Sequence, residues 1–423
     1  MIHSCRRLLS SVAAAARSVL TGDIISVARD DQKAWLLVTW DYGKRIWISG
    51  ISRFPYVWLR DNCPASHTYQ LTDICKARHM VMNDLDLNVK PLSIDSRSNE
   101  VFIVWPGQKS ATYTADWLRL HDLDSPEIRK KRPEVLLDHL ELWNADQFRT
   151  ESRLWDFESF FTDPLHLHDC LSELCRLGLV RIKGAAAAPG ELQRLAKHLG
   201  YHYTTHYGEF FSVKISDKPT NIAYRAGDLG FHTDLPYLAY PPQIQCLHGV
   251  KQFEGEGGET LFSDGFLAAE WMKRHHVDLY ELLCNIPIEY VDDGKDYIRF
   301  DLTHKWPVFN VDKSGRLQHI QFSNQQRSWF YDCPVEQIQK VYEAMLTFNE
   351  FLNRKENRVD IKIAEGEIVI FSNLRILHAR RGFEVIPGLE RHLEGCYFNW
   401  DIIKSKIRVL KDELDLADNQ ISI

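Results

Sequence analysis

The second half of the chain is dominated by short apolar segments separated by turn-forming residues. The clearest are QIQCLHGV at 243–250, ETLFSDG at 259–265, LQHIQF at 317–322, EIVIF at 367–371 and HLEGCYF at 392–398. Segments of this length, bounded by Gly, Asp and Pro, are typical of β-strands. Helical patterns are fewer and lie near 265–283, 335–354 and 401–414. The pattern therefore predicts a mainly β fold with flanking helices, in the form of a sandwich or jelly roll.

The first part of the chain indicates a separate small β-rich domain at 22–125. Apolar runs at 35–40, 45–48 and 101–106 read as its strands. A charged stretch with two prolines follows, and we expect a linker over 126–150. The remaining residues, 151–415, would form the jelly-roll domain, beginning with a helix at 165–177 and a strand at 179–184. A length of 423 residues suits two domains.

The first 21 residues have the composition of a mitochondrial presequence. They carry Arg6, Arg7 and Arg17, several Ser and Ala, and no acidic residue, since the first is Asp23. An ordinary N-terminal helix is the alternative. The nine cysteines show no secreted disulfide framework, so we expect free thiols in a reducing compartment. Both features suit the mitochondrial matrix, with the cytoplasm as the alternative.

Charge and hydropathy argue against two classes of partner. The formal net charge is −7, and no basic stripe is available for nucleic-acid phosphates. No run of about 18 apolar residues suggests a membrane span. We therefore expect neither a nucleic acid nor a membrane as a partner.

A His-x-Asp motif, His232-Thr233-Asp234, is the first candidate for a metal site. On a strand, residues two apart point to the same side, so both side chains could reach one ion. A third ligand is His378, which follows EIVIFSNLRIL, where a strand is expected to end in a turn. Two histidines and one carboxylate form the facial arrangement used by non-haem iron(II) oxygenases. His276-Val277-Asp278 has the same spacing, but its helical context would turn the two side chains apart.

Arg391 and Thr260 fit the reductant that such an iron requires to deliver electrons to O₂. A 2-oxo acid binds iron in two places, and the far carboxylate of 2-oxoglutarate needs a fixed cation. Arginine offers planar, bidentate donors for this carboxylate, and Arg391 lies on the strand expected after His378. The Thr260 hydroxyl could add a hydrogen bond. A salt bridge at the surface is the alternative for Arg391, and a metal-free binding protein is the alternative for the whole chain.

These motifs resemble the gamma-butyrobetaine and trimethyllysine dioxygenase family, within the taurine-dioxygenase-like oxygenases. The similarity is carried by YVWLRDNCP (56–64), LVRIKGA (179–185), NIAYRAGDLGFHTD (221–234), PPQIQCLHG (241–249), LRILHARR (374–381) and RHLEGCYFNWD (391–401). The resemblance implies hydroxylation of gamma-butyrobetaine to L-carnitine, with O₂ consumed, 2-oxoglutarate converted to succinate and CO₂, and ascorbate as reductant. It also implies iron ligation by His232, Asp234 and His378, and a homodimer. Around 2-oxoglutarate it adds Asn221 and Leu247 to Arg391.

The resemblance further implies an aromatic cage, because a trimethylammonium group cannot donate hydrogen bonds and is held by aromatic faces. The cage residues are Tyr207, Phe211, Tyr224 and Tyr397. Phe211 stands where the family's butyrobetaine enzymes carry tryptophan, the best cation–π partner, so we expect a somewhat weaker and larger site.

Two other departures concern the substrate acid and zinc. Ser323 replaces a family asparagine that holds the substrate carboxylate, while the neighbouring Asn324 is retained. A trimethyllysine, or another small trimethylammonium or carboxylic acid, is therefore an alternative substrate. The family's zinc-binding cysteines are reduced here to Cys63. A different array, formed by Cys63, His67, Cys75 and His79, has ligand types suited to zinc, although this spacing could also be coincidental.

Overall fold

The computed structural model describes residues 23–41, 50–63, 69–71, 76–78, 81–97, 99–126, 128, 140–214, 226–252, 254–384 and 391–414. These residues fall into two compact units, one ending at 128 and one running from 140 to 414. No helix within these ranges has the length and apolar character needed to cross a bilayer.

The first unit is built from short antiparallel strands. Its elements are β1 (Asp23–Asp30), β2 (Trp35–Asp41), β3 (Ile51–Pro55), α1 (Tyr56–Asp61), β4 (Tyr69–Leu71), β5 (Lys76–Arg78), β6 (Ser93–Arg97), β7 (Glu100–Trp105), β8 (Lys109–Thr114) and α2 (Ala115–Leu120). Strands β1–β2–β3 and β6–β7–β8 form three-stranded sheets, and β4 pairs with β5. The expected strands at 35–40 and 101–106 are confirmed, whereas 45–48 lies outside the described residues.

Alternating burial explains the core of this first unit. In β2 and β7 every second side chain is buried, as expected for a sheet with one face on a core. The buried aromatic residues include Trp40, Tyr56, Trp105 and Tyr113. The predicted small β-rich domain is therefore confirmed as a fold.

The second unit contains more strands and longer helices. Its elements are α3 (Ala145–Glu151), β9 (Leu154–Asp156), α4 (Pro164–Leu177), β10 (Leu179–Lys183), α5 (Glu191–Leu199), β11 (Phe211–Lys214), β12 (Leu229–His232), β13 (Ile244–Lys251), β14 (Thr260–Asp264), α6 (Gly265–His275), α7 (Val277–Asn285), β15 (Ile288–Lys295), β16 (Arg299–Trp306), β17 (Phe309–Val311), β18 (Leu317–Ile320), β19 (Arg327–Tyr331), α8 (Val335–Asn353), β20 (Arg358–Ile361), β21 (Ile368–Ser372), β22 (Ile376–Arg380), β23 (His392–Phe398) and α9 (Trp400–Glu413).

Two sheets of this unit form the predicted jelly roll. Within the described ranges, one sheet has the order β11–β23–β13–β21–β10–β9 and the other β12–β22–β14–β20. Residues of both sheets share one core, where Leu247, Phe262 and Phe371 meet. Helices α4, α5 and α9 contribute to the core with the first sheet, and α6, α7 and α8 to the core with the second. This sandwiching explains why β14, β21, β22 and β23 are buried along their whole length.

Two sequence expectations are modified. The helical pattern near 265–283 is interrupted at His276, whose backbone (φ −143°, ψ 57°) separates α6 from α7. Asp278 in this second His-x-Asp motif is exposed, and the described residues place no metal-ligand cluster there. The end of the segment expected as a linker, 126–150, belongs to the core, because Trp143 and Phe148 are buried beside the two sheets.

Candidate active site

His232, Asp234 and His378 meet at one edge of the four-stranded sheet. Strands β12 and β22 are adjacent, and His232 lies directly opposite His378. Asp234 follows the end of β12, where Leu235 has a positive φ of 58°. One ligand atom from each of the three residues lies within 4.8 Å of the others. The turn expected before His378 lies at 373–375, so His378 sits in the middle of the next strand.

Both imidazoles present Nε2 to the same carboxylate oxygen. Asp234 Oδ1 is 3.3 Å from Nε2 of His232 and 3.6 Å from Nε2 of His378. The Nδ1 atom of His232 lies 2.9 Å from the carbonyl of Gly230, which favours a proton on Nδ1 and leaves the lone pair of Nε2 free. Nδ1 of His378 has no hydrogen-bond partner among the described residues. Two imidazole nitrogens and one carboxylate thus converge without a donor between them.

The electrostatics of this cluster suit a divalent cation. Burial, with the neighbouring His232, lowers the pKa of His378 to about 3, so its imidazole is neutral near pH 7. Burial raises the pKa of Asp234, but His232, His378 and Tyr397 outweigh it and hold the carboxyl below its usual range. Neutral imidazoles and an ionised carboxylate are the protonation states that metal ligation requires. The donor set therefore fits iron(II).

Asn373 and Tyr397 hold Asp234 in place. The Asn373 side chain is fully buried; its Oδ1 accepts from Asp234 N at 2.7 Å, and its Nδ2 donates to the carbonyls of Asp234 and Pro242, both at 2.9 Å. The Tyr397 hydroxyl donates to Asp234 Oδ2 at 2.6 Å. The backbone and the second carboxylate oxygen are thereby fixed while Oδ1 faces the imidazoles. The role of Asn373 was not foreseen, because no local pattern marks a side chain that acts 139 residues away.

A cavity opens in front of these residues and contains most of the predicted site. The described residues lining it are Tyr207, Phe211, Val213, Leu229, His232, Asp234, Leu235, Gln245, Leu247, Thr260, Ser323, Gln325, Gln326, His378, Ala379, Arg380, Arg391, Leu393 and Tyr397. Asn221 and Tyr224 lie outside the described residues, so their predicted roles stay predictions.

One side of the cavity carries two buried arginines. Arg391 immediately precedes β23 and is 6% exposed, and its Nε has no hydrogen-bond partner among the described residues. Burial, together with Arg380, lowers the pKa of Arg391 to about 10. Arg380 lies on β22 opposite Thr260 of β14, which places that hydroxyl in the same wall. A buried cation with an unused donor is costly, so this side of the cavity fits a carboxylate.

An aromatic wall of the cavity is formed by Tyr207, Phe211 and Tyr397. The rings of Phe211 and Tyr397 stack with centroids 5.0 Å apart, and Tyr207 lies 6.3 Å from Phe211. Phe211 pairs with Gly395, where a Cβ atom would lie 2.3 Å from the phenyl ring. Glycine at 395 therefore allows the ring to lie across β23. Three of the four predicted cage residues are brought together.

The segment after β18 differs from the prediction. Ser323 is buried and lines the cavity, but the side chain of Asn324 is exposed and its Oδ1 accepts from Arg327 at 3.0 Å. Asn324 is therefore not among the residues that line the cavity, and residues 324–326 form a bend after the bridge at Ser323. Gln325 and Gln326 line the cavity instead.

A partly buried polar cluster contacts the hydroxyl of Tyr207. The Tyr207 hydroxyl lies 3.3 Å from both Tyr237 Oη and Asp292 Oδ2, and Tyr237 Oη lies 3.1 Å from His206 Nε2. Burial lowers the pKa of His206 to about 4, so this imidazole is neutral near pH 7. Burial also raises the pKa of Asp292, against the hydrogen bonds from Tyr237 and Tyr207. No sequence motif had indicated this cluster.

The predicted zinc array is mostly outside the described part of the chain. Cys63 is buried in the core of the first unit, whereas His67, Cys75 and His79 are not described. Zinc binding by this array stays a prediction.

Comparisons with known proteins agree with this geometry. Residues 147–397 match the family model for taurine catabolism dioxygenase TauD, TfdA family, and residues 27–119 match the gamma-butyrobetaine hydroxylase-like N-terminal model. The chain is 34% identical to the gamma-butyrobetaine dioxygenases of Homo sapiens and Pongo abelii, over 86% of this chain and 92% of each relative. It is 29% identical to mitochondrial trimethyllysine dioxygenase of Gallus gallus, over 85% and 84% of the two chains. The chain therefore belongs to the gamma-butyrobetaine dioxygenase-like group of the TauD, TfdA family of iron(II)- and 2-oxoglutarate-dependent oxygenases.

Proposed function

We propose that this enzyme hydroxylates gamma-butyrobetaine to L-carnitine. The observation that carries the proposal is one cavity with three features: the His232–Asp234–His378 cluster, an aromatic wall and a buried arginine. An aromatic wall suits a trimethylammonium group, which has no hydrogen to donate and binds to ring faces. The identity with gamma-butyrobetaine dioxygenases over nearly the whole chain supports the same substrate.

The proposed roles follow from the chemistry of each side chain. His232, Asp234 and His378 would hold iron(II), and Arg391 would bind the far carboxylate of 2-oxoglutarate with help from Thr260, Leu247 and Asn221. Bound iron(II) supplies the redox chemistry by which O₂ and 2-oxoglutarate are consumed. One oxygen atom enters the substrate C–H bond as a hydroxyl group, and the other enters succinate as CO₂ leaves.

The protein itself would orient the substrate and limit access of water to the reacting atoms. The aromatic wall would orient the cationic end, so that the carbon to be hydroxylated faces the histidine cluster. Tyr397 belongs to that wall and also donates to Asp234, so substrate position and ligand geometry depend on one side chain. The low exposure of His232 and His378 limits access of water to the reacting atoms.

A second substrate, trimethyllysine, is supported by the polar residues of the cavity. Ser323 replaces the asparagine expected from the family resemblance, and its short side chain reaches less far toward a substrate acid. Gln325 and Gln326 line the cavity nearby and provide longer amides. The same observations keep other small trimethylammonium or carboxylic acids as candidates.

Direct competition between substrates tests the proposal. Purified enzyme would receive iron(II), ascorbate as reductant, 2-oxoglutarate and equal amounts of gamma-butyrobetaine and trimethyllysine, with products measured by mass spectrometry. We expect L-carnitine and succinate in equal amounts. Preferential hydroxylation of trimethyllysine would replace the first proposal by the second, and uncoupled succinate formation with both substrates would contradict both.

We also propose a mitochondrial matrix location, a homodimer and a zinc site at Cys63, His67, Cys75 and His79. The basic, Ser- and Ala-rich composition of residues 1–21 supports import, and relatives named as mitochondrial are trimethyllysine dioxygenases. Import of full-length and 1–21-deleted fusions tests the location. Light scattering of the purified protein tests the dimer, and elemental analysis tests zinc.

A further inference from the structure

We infer that Asp292 is a positioning residue that gives the aromatic wall its preference for a cation. The inference rests on the proposed function, since it concerns how the same cavity selects a trimethylammonium group. Asp292 lies on β15, and among the described residues it is not part of the cavity lining. Asp292 acts through Tyr207, which does line the cavity.

The contact between Asp292 and the wall is the Tyr207 hydroxyl. This hydroxyl donates to Asp292 Oδ2 at 3.3 Å. The ring of Tyr207 lies beside that of Phe211, with the two ring centroids 6.3 Å apart. A carboxylate that accepts from a phenol increases the electron density of the ring, and electron-rich rings attract cations more strongly. The same bond limits rotation of the ring out of the wall.

The donors and acceptors of the hydrogen bonds behind the wall can be assigned consistently. Tyr237 also donates to Asp292, and a carboxylate only accepts. The neutral His206 then donates from Nε2 to the Tyr237 oxygen, across 3.1 Å. The chain runs from His206 through Tyr237 to Asp292, with Tyr207 donating to the same carboxylate. Asp292 is thus the common acceptor that aligns two tyrosines.

Charge in and around the cavity is distributed with opposite signs. Arg380 and Arg391 carry positive charge on the side that suits 2-oxoglutarate. Asp292 stands behind Tyr207, while the adjacent Asp293 is exposed and paired with Arg299. A zwitterionic substrate would therefore place its cation toward the Tyr207 wall and avoid the arginines. This orientation is a property of charge, so a neutral molecule of the same shape would gain nothing from Asp292.

The test compares a cation with its neutral isostere in one variant. Binding of gamma-butyrobetaine, and of the analogue in which a tert-butyl group replaces the trimethylammonium group, is measured by calorimetry without O₂ on enzyme loaded with iron(II) and 2-oxoglutarate. In Asp292→Asn we expect the Kd of gamma-butyrobetaine to rise about tenfold, within the range of a cation–π contact. The Kd of the neutral analogue should change by less than about twofold. Asp293→Asn removes the neighbouring charge at the surface and should leave both constants unchanged.

Several results would overturn the inference. Equal weakening of both ligands in Asp292→Asn would mean a structural role, and an unchanged Kd for gamma-butyrobetaine would mean no role. An equal effect of Asp293→Asn would mean that any nearby charge suffices. If the Asn variant does not fold, Tyr207→Phe, which keeps the ring but removes its hydrogen bond to Asp292, should weaken binding of the cation and leave binding of the neutral analogue unchanged. Turnover by the wild-type enzyme tests the proposed function separately, because the binding constants are measured without O₂ and therefore without turnover.

Discussion

Asn373→Ala should weaken both the fold and the iron site. In the folded protein the Asn373 side chain makes three hydrogen bonds, to Asp234 N, Asp234 O and Pro242 O. At about 1 kcal/mol for each net hydrogen bond, their loss should lower the free energy of unfolding by about 3 kcal/mol. Asp234 also loses its fixed backbone, and loss of such outer support weakens metal affinity by roughly 10- to 100-fold.

Two measurements with one control variant separate these effects. Urea denaturation reports stability, and anaerobic titration with iron(II) reports the Kd of the metal. Asn357→Ala is the control, because Asn357 is also buried and donates from Nδ2 to Phe351 O at 3.1 Å near the end of α8. It should cost about 1 kcal/mol and leave the iron Kd unchanged. Wild-type iron affinity in folded Asn373→Ala would refute the reasoning.

Further predictions concern the ligands, the co-substrate and acid stability. His232→Ala and His378→Ala should each abolish succinate formation while the far-UV circular dichroism spectrum is kept; coupled turnover in either contradicts the ligand assignment. Arg391→Lys should raise the KM for 2-oxoglutarate by roughly tenfold or more, because the planar fork is lost; an unchanged KM would place the carboxylate elsewhere. The pKa of His206 falls from 6.5 to about 4 on folding, so the unfolded chain binds its proton first and stability is lost as pH falls from 6.5 to 4, by up to about 3 kcal/mol. Urea midpoints across this range should depend less on pH in His206→Gln, and an unchanged slope would argue against a buried neutral imidazole.

Strands and metal ligands were the most predictable features. Apolar runs such as 367–371 coincide with a strand, Ile368–Ser372, because burial on both faces demands unbroken apolar or small residues. His232, Asp234 and His378 could be chosen because a facial triad restricts ligand types and spacing. Sequence could not place His378 within a strand, because the turn at 373–375 is short and the strand after it contains polar residues.

The supporting residues could not be predicted in the same way. Asn373 bonds the backbone of Asp234, and Asp292 bonds the hydroxyl of Tyr207; both partners are far away in sequence, and neither residue lies in a pattern with a recognisable period. Asn324 illustrates the reverse case: the resemblance placed it at the substrate, but in the bend at 324–326 its side chain is exposed and accepts from Arg327, while Gln325 and Gln326 line the cavity.

The pairing of β12 with β22 has a consequence for how the enzyme acquires its metal. His232 and His378 become neighbours only after the long intervening segment has folded back, so a nascent chain that ends before β22 has no complete iron site. Iron should then bind only completely folded molecules and raise their free energy of unfolding by about 2.7 kcal/mol at a free iron concentration 100 times its Kd. Iron binding would therefore distinguish completely folded chains from partly folded ones, which would remain without iron and inactive.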